Sequence, residues 1–212
     1  MRTLLRETAQ PVAVVTALMP PSGTPTPSSS DHQRFHGATL SSFSSVSMDP
    51  HPLVAFSLRV PSRLATSLKE AHAATHLPSH MVVNILSAAQ AALAVHFSQP
   101  DLYPNPFSAT RFTLTAEGLP VLAGALGALS CKLIAGSWPL HDLESLESRG
   151  GKEAPVWDGE GVASELFIAR VTRVESVVPL EEEDGLRTSP LIYYRRSYAT
   201  TRTLYPGDDN KT

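Results

Sequence analysis

Short β-branched runs, each cut off by proline, glycine or serine, recur along the chain, and only two stretches repeat their apolar residues at helical spacing. Residues 12–18, 52–60, 81–86, 129–134, 165–174 and 190–194 read as strands, and the run 165–174 alternates cleanly between apolar and polar positions. Leu64, Leu68 and Ala71 follow Ser62 at helical spacing, so a helix capped by Ser62 and ending at Ala74 is predicted, with Pro61 just outside its start. Ser87-Ala-Ala-Gln90 has the spacing of a capping box ahead of a second helix over 91–97. Two helices among six or more strands are too few for a doubly wound sheet, which needs helices on both faces. Mainly β with peripheral helices is the expected class, as a closed or nearly closed antiparallel barrel. No Gly-x-Gly-x-x-Gly turn follows a strand and no Walker A segment occurs, which removes two common phosphate-binding folds.

The chain reads as one domain over 1–212, and 42% hydrophobic against 17% charged residues suffices for a sizeable core. Three segments carry too little apolar character to join it: a proline- and serine-rich surface loop at 19–33, a charged insertion at 141–161 bracketed by Trp138 and Trp157, and a polar tail at 205–212. Seventeen Lys and Arg against twenty Asp and Glu leave a net charge of −3, which argues against a nucleic-acid partner. No stretch approaches about 18 uninterrupted apolar residues, so no membrane span is expected. Glu7 soon after two N-terminal arginines argues against a secretory signal. A soluble intracellular protein is expected, cytoplasmic or, with a presequence removed, mitochondrial. Cys131, the single cysteine, sits in an apolar run and reads as a buried, inert thiol.

Chemistry concentrates in residues 37–52, where Thr39, Ser41, Ser42, Ser44, Ser45 and Ser47 crowd a β segment. A buried hydroxyl needs a partner, so these either form a solvated strand face or meet a ligand rich in polar atoms. Arg59 and Arg63 flank Pro61-Ser62 at the predicted helix start. A helix N-terminus, a serine hydroxyl and two guanidinium groups there converge on one anion, and a phosphate fits. His72, His76 and His80 are spaced by four, but Pro78 interrupts the helix and no cysteine or carboxylate completes a metal set; solvated helix-end histidines are expected and no metal site. His36 either ends a loop or approaches the ligand.

Gly37-Ala-Thr-Leu-Ser-Ser-Phe-Ser-Ser-Val-Ser-Met-Asp-Pro50, followed by Pro52-Leu-Val-Ala-Phe-Ser57 and Arg59-Val-Pro-Ser-Arg63, resembles the flavin reductase-like group of FMN-binding split barrels. Val83-Asn-Ile-Leu-Ser-Ala-Ala-Gln90, Glu117-Gly-Leu-Pro-Val-Leu122 and Pro190-Leu-Ile-Tyr-Tyr-Arg195 continue the match in order, so it spans roughly residues 8 to 199. The resemblance implies a homodimer of six-stranded antiparallel split barrels with one FMN per subunit, and hydride transfer from NADH or NADPH to the flavin. Reduced flavin then passes to a partner oxygenase or is reoxidised in place. The implied cofactor residues are Thr39, Ser41, Ser42, Phe43 and Ser44 around the ring, Arg59, Pro61, Ser62 and Arg63 at the phosphate, Phe97 against the flavin, and Asp49; Tyr193, Tyr194, Arg195 and Tyr198 edge the site. One triplet departs from the group: Gly-Asp-His, whose histidine lies near the nicotinamide, is replaced by Ala163-Ser164-Glu165, with His141-Asp142 upstream. That departure supports an alternative, a flavin-binding or flavin-free barrel without turnover that serves as a binding or assembly subunit.

Overall fold

The computed structural model describes residues 2–19, 35–74, 76–141, 146–147, 163–180 and 185–202. The expected loop past residue 19, most of the insertion 141–161 with Trp157, and the tail 205–212 lie outside the described residues. After a short helix α1 (Arg2–Leu5) come strands β1 (Gln10–Pro11), β2 (Ala13–Leu18), β3 (Phe35–Leu40), β4 (Ser44–Ser47) and β5 (Leu53–Val60). Helix α2 (Arg63–Ala73) leads into β6 (Met81–Ile85), and a single 3-10 turn (Ala88–Gln90) opens helix α3 (Ala91–Ser98). Then follow β7 (Phe112–Leu114), β8 (Pro120–Leu122), β9 (Gly127–Leu133), β10 (Trp138–Pro139), β11 (Ala163–Glu175), β12 (Leu191–Tyr194) and β13 (Ser197–Thr200).

The main sheet is antiparallel in the order β3-β2-β6-β9-β11-β5-β4, with the two-residue β10 added to β11. Six strands of it, all but β4 and β10, form the expected barrel wall. The hydroxyl-rich segment reads in sequence as one strand before the Met48-Asp-Pro-His-Pro52 turn, but it is two: β3 pairs with β2 at one edge of the sheet and β4 with β5 at the other. Only Ser41, Ser42 and Phe43 connect them. So short a connector reaches at most about 14 Å, and the sheet must therefore curl until its two edges nearly meet. The same curl puts Val15 of β2, Phe56 of β5, Met81 of β6, Cys131 of β9 and Phe167 of β11 into one core. Phe56 and Phe167 stack there, with ring centroids 5.5 Å apart.

Helix α2 packs against that core through Leu64, Ala65 and Leu68. Its start is set as the sequence indicates, with the Ser62 hydroxyl oxygen accepting the Ala65 N–H at 3.4 Å. Truncating Leu68, which is wholly buried, to alanine costs about 2–5 kcal/mol. A buried amide, Asn84, locks β8 onto the sheet: its Oδ1 accepts the Leu122 N–H at 2.9 Å, and its Nδ2 donates to the Val14 carbonyl at 3.2 Å and the Thr16 hydroxyl at 3.3 Å. Cys131 is fully buried, and burial pushes its thiol up to about 12, in keeping with an inert side chain. His80 is buried rather than solvated, because its Nδ1 accepts the Leu133 N–H at 3.2 Å. Among the described residues no helix is long and apolar enough to cross a membrane, and no three His, Cys, Asp or Glu side chains gather as a metal set.

Candidate functional site

Strand β5 alternates strictly, with Val54, Phe56, Leu58 and Val60 buried while Ser57 and Arg59 face the other way. That outward face, the inner edge of β3, the start of α2 and residues 96–107 enclose a cleft of about 1900 Å³. This exceeds the roughly 300–1,000 Å³ of an ordinary small-molecule pocket.

One end is polar. Arg59, Ser62 and Arg63 line it with Ser41, Ser42, Ser57, Ser164 and His36. Among the described residues no carboxylate pairs with Arg59 or Arg63. The hydroxyls divide by what their hydrogens already do. Thr39 donates to the Ala94 carbonyl at 2.7 Å, and Ser42 donates to the Ser57 carbonyl at 3.2 Å while accepting the Ser57 N–H at 2.9 Å. Those two brace the strand edge. Among the described residues Ser62 only accepts, so its hydroxyl hydrogen can point at an anion beside the two guanidinium groups. The first-turn N–H groups of α2 add their partial positive charge at the same corner. His36 is half-buried, and burial first, then the Arg63 charge, holds its imidazole below the usual histidine range.

The other end is aromatic: Phe35, Phe97, Phe107, Tyr103, Tyr193 and Tyr198. Phe97 lies so close to Gly37 that a Cβ there would sit 2.5 Å from its Cε1, and Phe107 backs it edge-on at 5.0 Å. Gly37 is therefore the residue that lets this ring into the wall. Tyr193 and Tyr198 pair across β12 and β13 with centroids 5.6 Å apart. Burial raises the Tyr198 phenol, and a hydrogen bond with the Ser98 side chain opposes part of that rise.

Of the residues singled out in the sequence, Thr39, Ser41, Ser42, Arg59, Pro61, Ser62, Arg63 and Phe97 meet in this cleft. Phe43, Ser44 and Asp49 do not line it. Phe43 packs on the core, Ser44 donates to the Ser45 carbonyl at 3.1 Å, and Asp49 sits in the exposed turn before β5. Sequence reasoning missed Ser57 and Ser164. The alternation of β5 could have found Ser57, but Ser164 depends on its pairing with Arg59 across β5 and β11. Its neighbour Glu165 faces away from the cleft, where its carboxylate meets the Lys69 ammonium at 3.2 Å and accepts from Ser137 at 2.7 Å. Pairing of β10 with β11 brings the Leu140 N–H to the Ser164 carbonyl at 2.9 Å, yet His141 does not line the cleft.

Fold and cleft together define a curled antiparallel half-barrel protein with a wide binding cleft, cationic at one end and aromatic at the other. The chain belongs to the flavin reductase like domain family, whose sequence model matches residues 5–202. It is 29% identical over 187 residues to an NADPH-flavin oxidoreductase of Streptomyces viridifaciens, covering 84% of this chain and 86% of the relative. An NADH-dependent flavin reductase of a Rhodococcus species is 32% identical over 112 residues, 53% of this chain and 56% of that protein's own length. Among solved structures, the styrene monooxygenase flavin reductase of Pseudomonas putida S12 superposes with a TM-score of 0.63 over 95% of this chain and 97% of that one, at 24% identity. A likeness at that identity shows the shared fold.

Proposed function

We propose that this chain is an oxidoreductase of the flavin reductase type that holds FMN in the cleft and takes hydride from NADH or NADPH. The observation that carries the reading is the pair of guanidinium groups, Arg59 and Arg63, which no carboxylate engages among the described residues, beside the Ser62 hydroxyl and the start of α2. A phosphate monoester satisfies all of these donors at once, and the cleft beyond is lined by the aromatic side chains Phe35, Phe97 and Phe107. When bound, FMN supplies a ring that accepts a hydride and passes electrons on. The residues of the chain bind, orient and shield. Arg59, Ser62 and Arg63 hold the phosphate, the segment from Thr39 to Ser42 borders the ring with its backbone, and Phe97 with Phe107 behind it keeps water from one side. Thr39 and Ser42 act through the rigidity they give that segment, since their hydrogens are already spent. No protein nucleophile is required.

In this reading the working unit is a homodimer, and reduced flavin is passed to a partner oxygenase. One observation favours the non-catalytic alternative. Glu165 stands where the resemblance places a histidine and turns toward Lys69, so no imidazole meets the nicotinamide from that position. The two readings separate by spectroscopy. The purified protein is loaded with FMN and mixed anaerobically with NADH and, separately, NADPH. Bleaching of the bound yellow chromophore supports the reductase, a chromophore that stays oxidised supports the binding subunit, and failure to take up FMN overturns the reductase and leaves only the flavin-free binding or assembly barrel.

A further inference from the structure

The polar end of the cleft holds a group that the phosphate reading above does not use. His36 lies on β3 opposite Ala17, and β3 packs against α2, which carries Arg63 at its first position. The imidazole lines the same cleft as Arg59, Ser62 and Arg63, and it lies near enough to Arg63 for the guanidinium charge to oppose its protonation. Among the described residues no hydrogen bond engages the His36 ring. The other charged or titratable groups facing the cleft are Arg59 from β5, His96 from α3, Asp101 beyond it, and the three tyrosines Tyr103, Tyr193 and Tyr198. Asp101 is the single carboxylate among the described cleft residues, and it is exposed on the segment after α3. Among the described residues the polar end thus has two permanent cations, an imidazole whose protonation burial and Arg63 oppose, and no carboxylate.

An arriving dianion reverses the field that His36 feels. The Arg63 charge is then compensated, and a negative oxygen becomes the nearest strong charge to the ring. We propose that His36 is a third cationic contact for the phosphate held at the Arg59–Arg63 corner, and that it takes up a proton from solvent as that anion binds. This rests on the phosphate reading of the cleft and adds a residue and a proton to it. Affinity for a phosphorylated flavin therefore falls as pH rises through neutrality, while affinity for the same ring without phosphate does not change.

Calorimetric titration of the full chain with FMN and with riboflavin, at about pH 7.5 in two buffers of different ionisation heat, tests this. At that pH the free phosphate is already largely dianionic. The expected result is net proton uptake with FMN and none with riboflavin. His36→Gln abolishes the uptake and weakens FMN binding by about tenfold or more, with riboflavin binding unchanged. A measurement on the unmodified protein guards against a folding defect: the His36 ring followed by NMR titrates at higher pH with FMN bound than without it. Uptake that persists in His36→Gln, equal uptake with riboflavin, or a His36 midpoint unmoved by FMN overturns the inference. FMN binding without proton uptake sinks this inference alone, whereas failure of FMN to bind sinks the phosphate reading with it.

Discussion

Acidification provides a quantitative test of the buried His80. Its Nδ1 accepts the Leu133 N–H at 3.2 Å, so the neutral ring carries its proton on Nε2, and that atom is buried without a partner. The edge-on His72 ring lies 5.8 Å away. Burial first, then His72 and Lys132, lower the His80 imidazole from 6.5 to about 4. A lowered folded-state value means that the native protein resists the proton that the unfolded chain accepts. The stability this represents is fully present above pH 6.5 and is lost as pH falls toward 4. Between about pH 7.5 and about pH 5 the loss is about 2 kcal/mol, or roughly 4–8 °C in Tm for a chain of this size. Glu117 does not blur this window. Its hydrogen bonds with Arg173 hold it down at about 2 from 4.5, so its contribution is present above 4.5 and fades only below it. The lowered His36 adds to the same slope, so the comparison is made in a His36→Gln background. Urea unfolding in that background should show the predicted loss, and adding His80→Leu should flatten it. The second substitution also leaves the Leu133 N–H without its acceptor, costing about 1–3 kcal/mol at every pH. A slope equally steep without His80, or an NMR midpoint for His80 near 6.5, refutes the reasoning.

Arg63→Ala should weaken FMN binding by about 1.5–3 kcal/mol, the worth of a charge-assisted bond to phosphate, and an unchanged Kd by fluorescence quenching removes Arg63 from the site. Gly37→Ala puts a Cβ 2.5 Å from the Phe97 ring, which Phe107 prevents from retreating; we expect a loss of about 1–3 kcal/mol by urea unfolding. Asn84→Ala strands the Leu122 N–H and should lower Tm by several degrees, checked by calorimetry. Arg195 and Arg196 form the β12–β13 turn with φ of 50° and 66°, a conformation that costs a side-chain-bearing residue about 1–2 kcal/mol and glycine little. Arg196→Gly should therefore raise Tm, and a lower Tm would show that the arginine side chain contributes more than the turn geometry costs.

Local chemistry was legible without coordinates wherever it depends on neighbours in the chain. The Ser62 cap, the start of α2 at Arg63, the alternation of β5 and β11 and the burial of Cys131 all follow from spacing and side-chain type. So does the grouping of Arg59, Ser62 and Arg63, since a strand that ends at Val60 and a helix that starts at Arg63 can hardly separate them. The strands β1 and β13 were missed because Gln10–Pro11 and Ser197–Thr200 are too short and too polar to signal themselves; both exist by pairing with β12. The division of the serine-rich run into β3 and β4 was equally invisible. Each half has ordinary β character, and only the choice of partner strand sends them to opposite edges.

By itself the order of residues determined the class of fold and the cationic corner of Arg59, Ser62 and Arg63, because periodicity, capping and charge act over a few positions. Strand pairing and helix packing decided the rest. Packing of α3 and α2 on β3 set Gly37 under Phe97 and brought His36 within the field of Arg63, and pairing of β11 with β5 placed Ser164 beside Arg59 while Glu165 turned away toward Lys69. Those contacts join residues far apart in the chain, so their geometry comes from strand pairing and packing and not from local preference.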